Sequence, residues 1–519
     1  MKTKYIWLLA IALGLTSCDS DDDNTALVNP LPELTAGEAD FSNYVSIGAS
    51  FTAGTTDQTL FIASQQNSFP NIISQQFAKI GGGEFTQPLV SDNIGGLVFG
   101  GMVIQPPRLY FDGAGPVQLP AMPTTDASIV LSGPFNNMGV PGAKSFHVVT
   151  PGYGTFNPYF GRMASNPAAT VLEDALAQNP TFFTLSEIGG NDVLGYALSG
   201  GSGVDQTGNL DPSTYGNSDI TDPTVFAQTF SSMVSALTAN GAKGAVTTVP
   251  YVTSLSNFTT IPHNPLEPSN PDFGPQIPVL NATFAALNQA FTFLGMPERS
   301  IVFSETEDSA IVIFDEDLPN ISAQLNAVLQ GGGVDPLTAG LLSQQFGQSR
   351  QANAEDLILL ASSSVIATLN EPYFNALVAQ GVPAATAGQL AVNGVTYPMA
   401  DQWVLTPQEL TALNTATDSY NATITAVASA SNLALVDLNA ILTEASQNGI
   451  TFDEFNMTTD LVFGGLVSLD GVHLTARGYA LMANKFLEAI DDTYGSNFMA
   501  SDNVARANDY PTNYSPTLQ

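Results

Sequence analysis

Three histidines, His147, His263 and His473, are the only imidazoles in a chain of 519 residues. Imidazole titrates nearest neutral pH, so a reaction needing such a general base has three positions to draw on. His263 lies in Ile261-Pro262-His263-Asn264-Pro265 and reads as a proline-flanked loop residue; His147, after Lys144-Ser145-Phe146, reads as structural. His473 differs. In Asp470-Gly471-Val472-His473-Leu474-Thr475 a carboxylate stands three residues ahead of the histidine, where a helical pattern begins. On a turn, that spacing lets the acid hold Nδ1–H while Nε2 faces outward as a base, the orienting half of a triad. Without a nucleophile, the pair would only cap the helix.

The segment Gly48-Ala49-Ser50-Phe51-Thr52-Ala53-Gly54 offers a nucleophile in Ser50, placed where an apolar strand turns. A serine there is by itself more often a helix cap. Two further glycine turns, Asn137-Met138-Gly139-Val140-Pro141-Gly142 and Gly189-Gly190-Asn191-Asp192, also follow strand-like runs. In an open α/β sheet the loops at the carboxyl ends of the strands share one edge, so these segments are expected to converge.

In this order the four segments resemble the four blocks of the SGNH/GDSL hydrolase family. The resemblance implies Ser50 as nucleophile, His473 as base and Asp470 as its orienting acid. It implies an oxyanion hole made by the Ser50 N–H, the Gly142 N–H and the Asn191 amide. It also implies a flavodoxin-like three-layer α/β/α fold and an ester bond as target; no catalytic metal is expected, and with no glycine-rich phosphate cradle after a strand no nucleotide cofactor is expected either. The first block departs from the family pattern: Ala49 stands where an aspartate is usual, so a hydrogen-bonding acid is expected to be missing beside the nucleophile. Thr52 occupies the position where a Gly-x-Ser-x-Gly elbow would need glycine, which argues against a standard α/β-hydrolase.

The elements that must position these residues alternate. Strands are predicted at residues 44–48, near 136–140, at 181–188, 244–249 and 433–438, with helices over 68–80, 167–178, from Asp222-Pro223, over 407–430 and 475–490. Such alternation predicts about five parallel strands covered on both faces. Residues 82–133 are rich in Gly and Pro and read as a long excursion. A mostly helical block, with apolar stretches at 341–346 and 357–369, precedes the last strand and is a candidate lid or acyl groove, the alternative being plain core. The organisation expected is a first hydrolase part at 41–254, an insertion at 255–405, the last part at 406–495 and a tail at 496–519. An aspartate-bearing loop with Asp205, Asp211, Asp219 and Asp222 matches no EF-hand spacing and reads as a solvated loop.

Composition limits the partners. With 44% apolar and 11% charged residues the chain is built to fold, and 12 basic against 47 acidic residues give a charge of −35 that repels nucleic acid. Lys2 and Lys4 precede an apolar run over 5–15, too short to span a bilayer but suited to a signal peptide over 1–17. Leu15-Thr16-Ser17-Cys18 resembles a lipobox, with Cys18, the only cysteine, as the acylated residue; an ordinary secretory signal is the alternative. Cleavage would remove two lysines and no acid, taking the charge to −37. Residues 18–40, opening on Asp19, Asp21, Asp22 and Asp23, read as an acidic tether from the outer membrane of a Gram-negative cell, with display at the cell surface open. The expected substrate is an acyl ester, of a lipid or an acylated glycan. Lipase or carboxylesterase action leads, with a carbohydrate acetylesterase or a non-catalytic surface binding lipoprotein as alternatives.

Overall fold

The computed structural model describes residues 30–519. The signal peptide, Cys18 and the aspartate run after it lie outside the described residues.

The molecule is a mixed α/β protein built on one five-stranded parallel sheet: β1 (Tyr44–Gly48), β2 (Asn137–Gly139), β3 (Phe182–Leu185), β4 (Lys243–Thr247) and β5 (Ala434–Val436), in the order β5-β4-β3-β1-β2. Successive residues point to opposite faces, and both faces are apolar. Val45, Ile47, Phe183, Leu185 and Val246 enter one core; Tyr44, Phe182, Ala245, Ala434 and Val436 enter the other. This two-sided burial is what a parallel sheet requires.

Six helices matter for the site: α1 (Ser50–Ala53), α2 (Phe69–Ala78), α3 (Gly190–Leu198), α4 (Pro223–Thr238), α5 (Pro407–Ala430) and α6 (Ala476–Tyr494). α3, α4 and α5 pack into the first core, α2 and α6 into the second. Their starts follow local chemistry. Asp222 accepts the Thr224 and Val225 N–H groups ahead of Pro223, and Thr406 with Glu409 forms a capping box on α5. Ser68 precedes α2 but makes no side-chain cap there; its hydroxyl turns to Gln87.

Between β4 and β5 the chain builds a separate apolar cluster around Phe284, Leu287, Phe291, Phe303, Ile313, Leu325 and Phe346. The stretch 341–346 is helical, as the C-terminal half of Pro336–Phe346. The stretch 357–369, expected as helix, is not. Leu357–Ile358 pairs antiparallel with Val404–Leu405, and a short 3-10 turn, Leu360–Ser364, follows. Three consecutive serines and the left-handed Ala367 interrupt helical propagation there.

The Gly/Pro-rich excursion holds two short hairpins, Leu97–Phe99 with Met102–Gln105 and Leu109–Phe111 with Pro116–Gln118. The chain after α6 folds back onto it: fully buried Arg108 donates to the carbonyls of Ser515 (2.6 Å) and Leu518 (2.9 Å). Among the described residues no helix is long and apolar enough to cross a membrane.

Candidate active site

β1 ends at Gly48, and Ser50 opens the four-residue α1, so the hydroxyl sits at the carboxyl edge of the sheet. The turn is held from below by a residue the sequence reading missed. Glu187, at the end of β3, is 8% exposed, and its Oε1 accepts the N–H of Ala49 (2.6 Å) and of Thr52 (2.9 Å). The acid expected to be absent beside the nucleophile is thus supplied from another strand. Its own N–H donates to Thr247 Oγ1 (2.8 Å) on β4, and its φ of +48° is a left-handed conformation that costs about 1 kcal/mol or more for a non-glycine residue.

Gly142 follows β2 with φ +78°, a conformation that favours glycine. No atom crowds the position a Cβ would take, so backbone conformation, not crowding, is what selects glycine here. Asn191, in the first turn of α3, donates one amide hydrogen to the Ala143 carbonyl (2.9 Å). The neighbouring Asp192 accepts both the N–H (2.8 Å) and the hydroxyl (2.7 Å) of Ser145. The Gly142 turn and the start of α3 are therefore pinned together. Among the described residues the N–H groups of Ser50 and Gly142 find no acceptor.

The Asp470–His473 pair arrives on the loop before α6. His473 Nδ1 lies 2.7 Å from Asp470 Oδ2, while Oδ1 accepts the N–H groups of Val472 and His473 at 2.9 Å each. Burial raises the Asp470 pKa, but the ring of His473 and these donors outweigh it and hold the carboxyl well below the usual range. Gly471, at φ +74°, is required: a Cβ would come within 2.7 Å of the Asn257 nitrogen, whose N–H donates to the Gly471 carbonyl (2.9 Å).

Residues 56–58 clamp this loop to the segment that carries Ser50. Thr56 donates to the Leu474 carbonyl (3.0 Å), and the Gln58 N–H to Asp470 Oδ2 (2.7 Å). Asp57 Oδ1 accepts the Leu469 N–H (3.1 Å), while Oδ2 is buried with no partner among the described residues.

Ser50, Gly142, Asn191, Asp470 and His473 consequently line one cavity of about 730 Å³. The excursion contributes Gln105, Leu109 and Pro116 to its wall, and the 3-10 turn contributes Leu360, Ala361, Ser363 and Ser364. A smaller cavity of about 50 Å³ adjoins Ser50 and Asn191, lined by Val193, Leu194, Val249, Val252, Leu438 and Val472. His473 Nε2 makes no hydrogen bond to protein among the described residues, and none joins it to Ser50 Oγ. Nucleophile–base contacts are commonly long until substrate binds.

The other histidines stand apart. His147 Nδ1 accepts the Lys144 N–H (3.1 Å) and the ring stacks on Tyr153; burial, with Lys144 adding, lowers its pKa to about 4. His263 is half-buried, and its carbonyl accepts the Ile311 N–H. The aspartates of 205–222 are spent on their own loop: Asp219 accepts from Val204, Gly216 and Gln206, and Asp222 from Gly208, Thr224 and Val225.

No protein-family model, curated protein or solved structure matches the chain.

The buried Asp57 has a pH consequence. Burial, with Asp470 adding, pushes its pKa up to about 7, against the Leu469 N–H, Arg108 and His473. A carboxyl with a raised folded pKa lends stability that is complete below its unfolded pKa of about 4 and lost as pH rises through about 7. The unfolding free energy of Asp57→Asn, from urea titrations, should gain on that of the parent across that window, by at most about 1.4 kcal/mol per pH unit. Parallel pH curves would contradict this assignment.

Proposed function

We propose that the chain is a serine ester hydrolase of the SGNH/GDSL type. The observation carrying this reading is that residues from four separated segments line one cavity, with the Asp470–His473 pair already bonded. The strand order, 2-1-3-4-5 in chain order, supports the flavodoxin-like layout, with residues 255–405 inserted before the last strand. Ser50 Oγ attacks the ester carbonyl while His473 Nε2 takes its proton; Asp470 keeps the ring in the right tautomer and stabilises the imidazolium. The Ser50 and Gly142 N–H groups and the remaining Asn191 amide hydrogen stabilise the oxyanion. The His473 imidazolium then protonates the departing alcohol. Water, activated by the same histidine, releases the acid from Ser50. In this reading the chain is exported and anchored through Cys18 to the outer membrane.

The small apolar cavity beside Ser50 favours a short acyl group. At about 50 Å³ it has room for roughly four heavy atoms, on a scale where one water needs about 10–15 Å³. The large cavity then receives the alcohol portion, which suits an acetylated glycan better than a long-chain lipid. Initial rates on p-nitrophenyl esters from acetate to octanoate test this. Acetate or butyrate should exceed octanoate in kcat/KM by about tenfold or more, since each methylene without a pocket forfeits about 0.8 kcal/mol. A preference for octanoate would put the acyl chain in the large cavity, and folded protein inert to every ester would favour a binding lipoprotein.

A further inference from the structure

A second group of acids lies against the turn at the C-terminal end of α3. One carboxylate oxygen from each of Glu316, Asp401 and Glu409 falls within 4.8 Å of the others. The three come from separate places: the loop after the short strand Val312–Phe314, the turn Asp401–Trp403, and the first turn of α5. A buried, unpartnered oxygen points to a missing positive charge. Glu409 is only 4% exposed; its Oε2 accepts the Thr406 N–H (2.6 Å), but its Oε1 is buried with no partner among the described residues. Tyr196 on α3, 7% exposed, is close enough to the same acids for their charge, after burial, to raise its pKa, which makes it a reporter placed beside the site. No described Lys, Arg or His forms an ion pair with any of the three acids; the nearby Arg350 is committed to Asp315 and Asp356.

We propose that Glu316, Asp401 and Glu409 bind a divalent cation, with calcium as the ion of choice. Three carboxylate oxygens within 4.8 Å of one another can close on one cation, and calcium, whose oxygen shell is flexible, suits such a mixed set better than magnesium, which demands a near-ideal octahedron. The donors are all hard oxygens, and the exposed Glu316 leaves room for water to complete the shell. The ion would tie the segment that supplies the cavity wall at 360–364 to α5 and to the Gly200–Gly201 turn that ends α3, the helix whose first turn carries Asn191. That turn is in direct contact: a Cβ on Gly200 would meet the Asp401 carbonyl and one on Gly201 the Glu409 carboxylate.

The full chain, stripped with EDTA and returned to chelator-free buffer, provides the test. Calorimetric titration with calcium chloride should show one saturable site per chain. Calcium at about 100 times Kd should raise the unfolding midpoint by about 2–3 °C, and magnesium at the same concentration by less. Terbium bound there should luminesce on tyrosine excitation, and that signal should fall at least twofold in Tyr196→Phe. Asp401→Asn combined with Glu316→Gln should abolish the saturable site; if that chain fails to fold, the exposed Glu316→Gln alone should weaken binding about tenfold. Absence of a saturable calcium site in the folded parent, or undiminished binding in these variants, would overturn the proposal and leave the acids sharing protons. Either result is independent of esterase activity.

Discussion

Ser50→Ala lowers kcat by about 10⁵-fold or more while the unfolding midpoint stays within a degree or two of the parent. The hydroxyl lies on a cavity wall and its removal opens no core, so the loss is one of chemistry, not stability. Asp470→Asn keeps an oxygen for the Val472 and His473 N–H groups, although its amide nitrogen no longer accepts the Gln58 N–H. It no longer holds a negative charge against Nδ1, and kcat should fall by about 10⁴, or ~5.5 kcal/mol of transition-state stabilisation. The double variant should be little worse than Ser50→Ala, since members of a triad act as a unit. Steady-state rates on p-nitrophenyl acetate give all three numbers. Additive losses would mean that serine and acid serve separate functions.

Glu187→Ala should be the next most damaging change, although this carboxylate acts on substrate only through the nucleophile turn. It leaves the Ala49 and Thr52 N–H groups buried and unpaired, each worth about 1–3 kcal/mol, and frees the turn that aims Ser50. We expect an unfolding free energy lower by about 2–4 kcal/mol and kcat lower by about 10², with KM little changed, because misplacing the attacking atom penalises the transition state most. Glu187→Gln separates positioning from charge: its amide oxygen can accept the same two N–H groups, and most of the activity should return. Burial pushes the Glu187 pKa up to about 7, against the Thr52 and Ala49 donors and His473. The stability this group lends is therefore complete below about 4.5 and lost as pH rises through 7, a dependence the glutamine variant should lack. Equal kcat in the alanine and parent enzymes would show that the turn holds Ser50 without this acid.

The residues of the candidate site were legible because each sits in a short local pattern at a strand end. Ser50, Gly142, Asn191 and the Asp470–His473 pair could be picked out from spacing, and the alternation of strands and helices implied the edge on which they meet. Glu187 was overlooked because it lies inside the apolar run Phe182-Phe183-Thr184-Leu185-Ser186-Glu187-Ile188, where it passed as part of a strand. Its partners are 138 and 135 positions away. An acid closing a buried strand with no basic neighbour was the available signal. The stretch 357–369 misled for a different reason: short apolar runs fit helix or strand equally, and the pairing of Leu357–Ile358 with Val404–Leu405 decided between them. The cavity walls at Gln105, Leu109 and Leu360 were invisible because aperiodic loops take their shape from distant contacts, such as Arg108 on the Ser515 and Leu518 carbonyls. The Glu316, Asp401 and Glu409 cluster was hidden likewise, since its members meet only once the chain has folded.

The central claim is that a serine near the amino end of the described chain and a histidine near its carboxyl end form one reactive centre. Labelling with a fluorophosphonate, followed by peptide mass spectrometry, tests it most directly. The account predicts a single adduct on Ser50, with labelling slowed by about 10³-fold or more in His473→Ala, the loss expected when the activating base is removed. Folded parent protein that stays unlabelled, or labels at the same rate without His473, would contradict it.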